Sequence, residues 1–220
     1  PRPREVQSGR ILTRVVRSVH ERPFGPVVSC PGMKIGIMGA KGSFSEEAAR
    51  TYELKERLSG VELDYLVSAE NVLTALEDGT VDLGIFPIEN STGGIVLEAV
   101  YAMAKHRFQV KKLFEIDIHQ NLLVKPGVNP DQITAITSHD QALKQCRMYL
   151  KRKWPGVEVA EYADTAKAAA DLASGVLPET TAVIAARAAA ELYGLDVLEE
   201  SIQDLKFNFT TFLVAERMPV

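Results

Sequence analysis

An α/β fold with open, largely parallel sheets is what this sequence predicts, and three observations predict it. Its 220 residues are 46% hydrophobic and 25% charged, enough to bury one large core or two smaller ones. From Met33 onward, short apolar β-rich segments alternate with helical patterns. Small, hydroxylated or amide residues follow the strand ends, where open α/β sheets place their ligands.

Residues 34–38 form a short apolar strand, 39–42 a turn and 43–52 a helix. Further strands are expected at 61–67, 82–86, 108–117, 120–124, 133–137, 157–160, 181–185, 196–199 and 209–215. Helical patterns fill 69–78, 95–105, 139–152, 164–174 and 186–193. The alanines between Ala163 and Ala190 point to helices lying close against a sheet.

Residues 1–32 carry six arginines against two glutamates, so the net charge of −4 leaves −8 on the remainder. An acidic body has no surplus cations to displace phosphate counterions, which argues against nucleic-acid binding. Ile11, Leu12, Val15, Val16 and Val19 predict a short amphipathic helix in this basic head, followed by a Pro/Gly linker to residue 32. A linker or the tail of a fused upstream domain, an organellar presequence and a dimerisation arm all fit it. Pro1 in place of an initiator Met suggests an excised or processed piece, with the domain starting near Met33. Cys30 and Cys146 are too few for a disulfide framework, and a reducing cytoplasm is the expected setting. No apolar run approaches the roughly 20 residues that span a bilayer.

Several loops could carry chemistry. Residues 39–45 combine two glycines with Ser43, which has capping-box spacing to Glu46; an anion cradle and a plain helix cap both fit. Residues 89–94 offer an amide and two hydroxyls, or simply a turn. Ser138 is the expected N-cap of a helix whose first turn holds His139, either a solvated residue or one kept neutral by the helix dipole. Asp164 and Thr165 cap the alanine-rich helix, and residues 203–204 and 208–212 lead into the last strand. The four histidines are scattered and no metal-ligand or nucleophile-elbow pattern occurs, so neither metal nor covalent catalysis is expected. What remains is a donor-rich cleft suited to a small acid.

Seven of these stretches, GAKGSFSEEAA (39–49), FPIENSTGG (86–94), SHDQALKQC (138–146), DTAKAA (164–169), AAELYGLDVL (189–198), IQD (202–204) and NFTTF (208–212), closely resemble the catalytic domain of prephenate dehydratases, in order over about 33–217. The resemblance implies a two-lobed fold like type II periplasmic binding proteins, with the active site in the interlobe cleft. Lobe one would comprise about 33–109 plus 205–217, and lobe two about 110–204. The implied reaction is decarboxylative dehydration of prephenate to phenylpyruvate, which needs no cofactor because aromatisation drives it. Within the family motif Asn-x-Thr-Arg-Phe, the Thr tied to activity falls on Thr210. Ser43, Phe44, Ser45, Asn90, Ser91, Ser138, His139, Gln141, Thr165, Gln203, Asn208, Thr211 and Phe212 fall on positions assigned to the substrate.

Four positions depart from the family pattern. Thr211 replaces the Arg, Asp164 a Ser, Asp140 a Pro, and Ala40 the Pro after Gly39. Losing an Arg–carboxylate contact costs on the order of 1.5–3 kcal/mol. Three expectations follow: a working dehydratase with charge supplied by Lys41, Lys206 or helix N-termini; an arogenate dehydratase in which Asp164 pairs with the substrate ammonium; or a degenerate small-acid-binding domain. Related decarboxylases are expected to lack Thr210. Family membership also implies a homodimer or larger homo-oligomer. With eight residues after Phe212, no phenylalanine-binding ACT domain is expected in this chain, its regulator being removed or fused upstream.

Overall fold

The computed structural model describes residues 26–219, so the head helix expected around 11–19 lies outside the described residues. The first lobe begins with β1 (Val28–Ser29) and β2 (Lys34–Ile37), whose Ile35 and Ile37 are fully buried. Then α1 (Phe44–Glu56) starts on Ser43, whose hydroxyl accepts the Glu46 N–H. Next come β3 (Leu58–Ser59), β4 (Glu62–Tyr65) and α2 (Ala69–Asp78), which is capped by Ser68 and closed by Gly79. Strand β5 (Leu83–Asn90), β6 (Gly94–Ile95), α3 (Leu97–Lys105) and β7 (Phe108–Asp117) complete it.

The second lobe runs through β8 (Asn121–Val124), β9 (Ala135–Ser138), α4 (Asp140–Gln145), α5 (Arg147–Lys153) and β10 (Glu158–Glu161). It continues through α6 (Thr165–Ser174), β11 (Thr181–Ala185), α7 (Arg187–Tyr193) and β12 (Asp196–Glu199). The chain then returns to the first lobe as β13 (Phe209–Arg217).

Two large sheets result, beside a two-stranded parallel pairing of β1 with β3, in the two-lobed α/β arrangement expected. Their strand orders are β4-β2-β5-β13-β7, with β6 beside β5, and β10-β9-β11-β8-β12. Both are mixed rather than parallel throughout. Strands β2, β4 and β5 run parallel, but β13 is antiparallel to β5 and β7, and β8 is antiparallel to β11 and β12. The antiparallel members lie next to the two crossings of the chain between lobes. Those crossings pair with each other: Ile118 N–H donates to the Asn208 carbonyl, and Ile202 N–H to that of Gln120. The first crossing therefore lies at 118–120, not near 110, because β7 is a full-length partner of β13 and belongs to lobe one.

Strand periodicity sorts the core. Phe212 and Val214 face α1 with Ile35, Ile37 and Phe114, whereas Leu213 and Ala215 face α2 and α3 with Leu73, Leu76 and Phe86. Phe212, 1% exposed and stacked on Phe114 with ring centroids 5.9 Å apart, is core; its assignment to the substrate is corrected accordingly. In lobe two, Ala168, Ala169, Ala189 and Ala190 bring α6 and α7 close to Leu123, Val183 and Ala185. The helix expected over 139–152 breaks at Cys146, because the Asp204 carboxylate accepts the N–H groups of Met148 and Tyr149 and starts α5 anew. Among the described residues, no helix is long and apolar enough to cross a membrane.

At the α3–β7 junction, His106 Nδ1 lies 2.8 Å from Glu77 and Nε2 lies 3.2 Å from Glu70, which joins α2 to the start of β7. Hydrogen bonding to Glu77, aided by Glu70, holds the His106 imidazolium above its ordinary pKa, against a smaller lowering by desolvation. A group raised on folding lends stability that is complete below the unfolded value of about 6.5 and is lost as pH rises through the folded value. His106→Gln should therefore destabilise the protein most near pH 6 and least near pH 9; urea unfolding at both pH values tests this, and an equal loss at both would refute it. Phe212→Ala should cost about 3–5 kcal/mol in the same assay, whereas a loss below about 1 kcal/mol would remove Phe212 from the core.

Candidate active site

The end of β5 meets the start of β13, with Asn90 opposite Thr210. Asn90 Oδ1 accepts the backbone N–H groups of Thr92 and Gly93, at 2.9 and 2.8 Å. Backbone N–H groups only donate, so the Asn90 amide can be oriented one way. Its Nδ2 then donates to Thr210 Oγ1 at 2.8 Å and to Asn208 Oδ1 at 3.0 Å. Thr210 thus accepts from Asn90 and keeps its own hydroxyl hydrogen for another partner.

The cluster reaches into lobe two. Asn208 Nδ2 donates to Gln145 Oε1 at 2.9 Å, and Gln145 Nε2 donates to Asn90 Oδ1 at 3.2 Å. Gln120 Nε2 donates to the same Gln145 oxygen at 3.0 Å, while Gln203 Oε1 accepts the Gln120 backbone N–H. Asn208, Thr210, Gln145 and Gln120 are all buried, so an unmade hydrogen bond here carries a real cost. The arrangement is neutral, rigid and rich in oriented donors.

The remaining sequence-derived residues divide into groups. Gln141 faces the cluster: a Cβ on Gly93 would collide with its amide, so the small residue lets the two lobes meet there. Ser91 Oγ accepts the Phe209 N–H and so braces the crossing strand. Ser43 caps α1, Ser45 is buried beside it, and Phe44 packs on the first-lobe core. Gly42, at φ +81° with a Cβ position against Ala189, lets this loop touch α7, where the Tyr193 hydroxyl donates to the Lys41 carbonyl. Ser138 is not the expected N-cap: its hydroxyl donates to the Ile184 carbonyl at 2.6 Å. His139 caps α4 instead, Nδ1 accepting the Gln141 N–H at 3.3 Å, which needs an unprotonated Nδ1. Thr165 opens α6 behind Asp164, whose carboxylate accepts the Lys167 N–H at 2.7 Å. Among the described residues, Ser43, Ser45, His139 and Thr165 make no hydrogen bond to the Thr210 cluster.

Thr211 lies elsewhere. Strand alternation turns it to the face opposite Thr210, where its hydroxyl donates to Glu115 Oε1 at 3.3 Å; its assignment to the substrate alongside Thr210 is corrected by that geometry. Gln145 and Gln120 were not singled out from sequence. The signal for Gln145 is a polar side chain on the inward stripe shared with Ala142, Cys146 and Tyr149.

Burial raises the Tyr193 phenol, and the charges of Asp164, at the start of α6, and Glu46, on α1, raise it further. Burial likewise raises Glu47, partly offset by His119. The Cys146 thiol is pushed well up by burial and then by Asp204, so it stays protonated and is no nucleophile. Among the described residues, no three His, Cys, Asp or Glu side chains are grouped to hold a metal ion.

The family model for prephenate dehydratase matches residues 35–219. Arogenate dehydratase 5, chloroplastic, of Arabidopsis thaliana is 35% identical over 189 residues, covering 86% of this chain and 43% of its own length. The bifunctional chorismate mutase/prephenate dehydratase of Stutzerimonas stutzeri is 35% identical over 182 residues, covering 83% of this chain and 48% of its own. The chain thus spans a little under half the length of these curated relatives. Among solved structures, the prephenate dehydratase of Arthrobacter aurescens in complex with L-Phe superposes with a TM-score of 0.77 at 26% identity, over 86% of this chain and 61% of its own. With a family model running nearly end to end through both lobes and their crossings, the chain belongs to the prephenate dehydratase family.

Proposed function

We propose that this domain catalyses the decarboxylative dehydration of prephenate to phenylpyruvate, with Thr210 as donor to the departing hydroxyl. The observation that carries this is the Asn90–Thr210 hydrogen bond, which uses the threonine as acceptor and leaves its proton for the substrate. In the reaction the ring–carboxylate C–C bond breaks to release carbon dioxide. Its electron pair becomes a ring double bond and expels the hydroxyl, which leaves as water after taking one proton. A threonine hydroxyl is a weak acid, so Thr210 stabilises the developing hydroxide by hydrogen bonding or relays the proton from solvent. Asn90 and Asn208 orient Thr210 rather than the substrate itself, Gln141 faces the substrate, and the buried side chains of Asn208 and Gln145 exclude water from the site.

A second reading, arogenate dehydration, has its own supporting observation. The negative charges of Asp164 and Glu46, one from each lobe, both raise the Tyr193 phenol, an electrostatic setting that suits an ammonium-bearing substrate. Asp164 also caps α6, a task that serine performs equally well. The two free cysteines support a reducing compartment such as the cytoplasm.

The deciding experiment is a side-by-side assay with prephenate and arogenate, following phenylpyruvate and phenylalanine; turnover of neither refutes the proposal. Thr210→Val should lower kcat by about 10²–10³-fold with KM nearly unchanged, and an unchanged kcat would remove Thr210 from the chemistry. Asp164→Ser keeps the helix cap and deletes the charge. It should shift the kcat/KM ratio about three- to tenfold toward prephenate, and an unmoved ratio would dismiss Asp164 as a specificity determinant.

A further inference from the structure

We propose that Gln120, at the first crossing between the lobes, is a positioning residue that braces the hydrogen bonds holding Thr210 from the far end of the amide cluster. This rests on the activity proposed above. The orientation of every amide follows from one fixed end. Backbone N–H groups of Thr92 and Gly93 fix Asn90, Asn90 Nδ2 then faces Asn208 Oδ1, and Asn208 Nδ2 faces Gln145 Oε1. Gln145 therefore presents its oxygen to Gln120, and only the Gln120 amino group can answer it.

That choice leaves Gln120 Oε1, in a side chain that is 4% exposed, without a partner among the described residues. A buried amide oxygen with no donor is a net cost that methionine, of similar length and volume, would not incur. Nothing local requires glutamine at this position: the Gln203 and Ile202 bonds use the Gln120 main chain, which any non-proline residue supplies. What the side chain adds is a second donor to Gln145 Oε1. Two donors on one amide oxygen polarise that amide and hold its Nε2 on Asn90, and Asn90 holds Thr210. The donor run Gln120 → Gln145 → Asn90 → Thr210 thus crosses from the lobe junction to the reacting hydroxyl.

The test compares the intact chain with Gln120→Met. The expected result is a kcat lowered about tenfold, KM within about twofold of the parent, and a melting temperature unchanged or raised, because the orphaned oxygen is gone. A kcat within twofold of the parent overturns the proposal. So does a kcat loss that tracks a fall in melting temperature, which would mark a purely structural role. Should Gln120→Met fail to fold, Gln120→Asn, whose amide is withdrawn by one methylene, is read by the same criteria. A parent chain that turns over neither prephenate nor arogenate overturns the activity and this inference together; an active parent with an unaffected variant overturns this inference alone.

Discussion

Two backbone N–H groups, those of Thr92 and Gly93, set the direction of the polar network between the lobes. Both donate to Asn90 Oδ1, and neither can reverse. Asn90 then presents donors to Thr210 and Asn208, and through Asn208 the order passes to Gln145 in the second lobe. A tight turn after β5 thus decides which way a threonine on another strand, 120 residues later, presents its hydroxyl. Because Asn208 and Gln145 are buried, reversing one amide would leave several donors and acceptors unmet together, which makes the arrangement stiff.

Strand β13 lets a single segment serve both core and site. Its even-numbered residues Phe212 and Val214 fill the space beneath α1, and Thr210 continues that face beyond the edge of the apolar cluster into the amide network. The pairing with β5 slips between Thr211 and Phe212, leaving Ile88 unpaired beside Pro87. Proline has no N–H to give the ladder, and Pro87 lies past Ile85, the last β5 residue paired with β2, so the bulge falls where the ladder already lacks a donor. Beyond the bulge Asn90 comes opposite Thr210, the register the proposed chemistry needs.

What the sequence made legible was local. Helix 69–78 and strands 108–117, 181–185 and 196–199 have the bounds their periodicity predicts, because caps, alternation and apolar runs are properties of neighbouring residues. The misreadings involve partners distant in the chain. Asp204 breaks the helix at Cys146 from 58 residues away, and β13 claims residues 110–117 for the first lobe. Motif position alone set Thr211 and Phe212 beside Thr210, although alternation sends Thr211 to the other face and the Phe114 stack buries Phe212. Ser138 looked like a cap because it precedes a helix, but the Ile184 carbonyl in the neighbouring strand takes its hydroxyl. Gln120 and Gln145 become meaningful only once the crossings pair, since neither sits in a pattern distinctive in one dimension.

The neutral character of the cluster bears on the charge departures. In the proposed reaction the carboxylate being lost carries a full negative charge at the start and becomes neutral carbon dioxide, its electrons passing through the ring to the departing hydroxyl. A cation fixed on that carboxylate would stabilise the ground state more than the transition state and slow the step, whereas a hydroxyl donor aimed at the leaving hydroxyl stabilises the charge where it grows. In the proposed reaction that donor is Thr210, held by Asn90, and Thr211, on the opposite face and bonded to Glu115, withdraws nothing from it. Replacing arginine at 211 therefore leaves the hydrogen bonds of the Thr210 cluster intact. The acidic surplus of the body acts instead on Tyr193, whose phenol Asp164 and Glu46 raise. In the proposed reaction, charge at that place acts on the keto or ammonium side chain and not on the bonds that break.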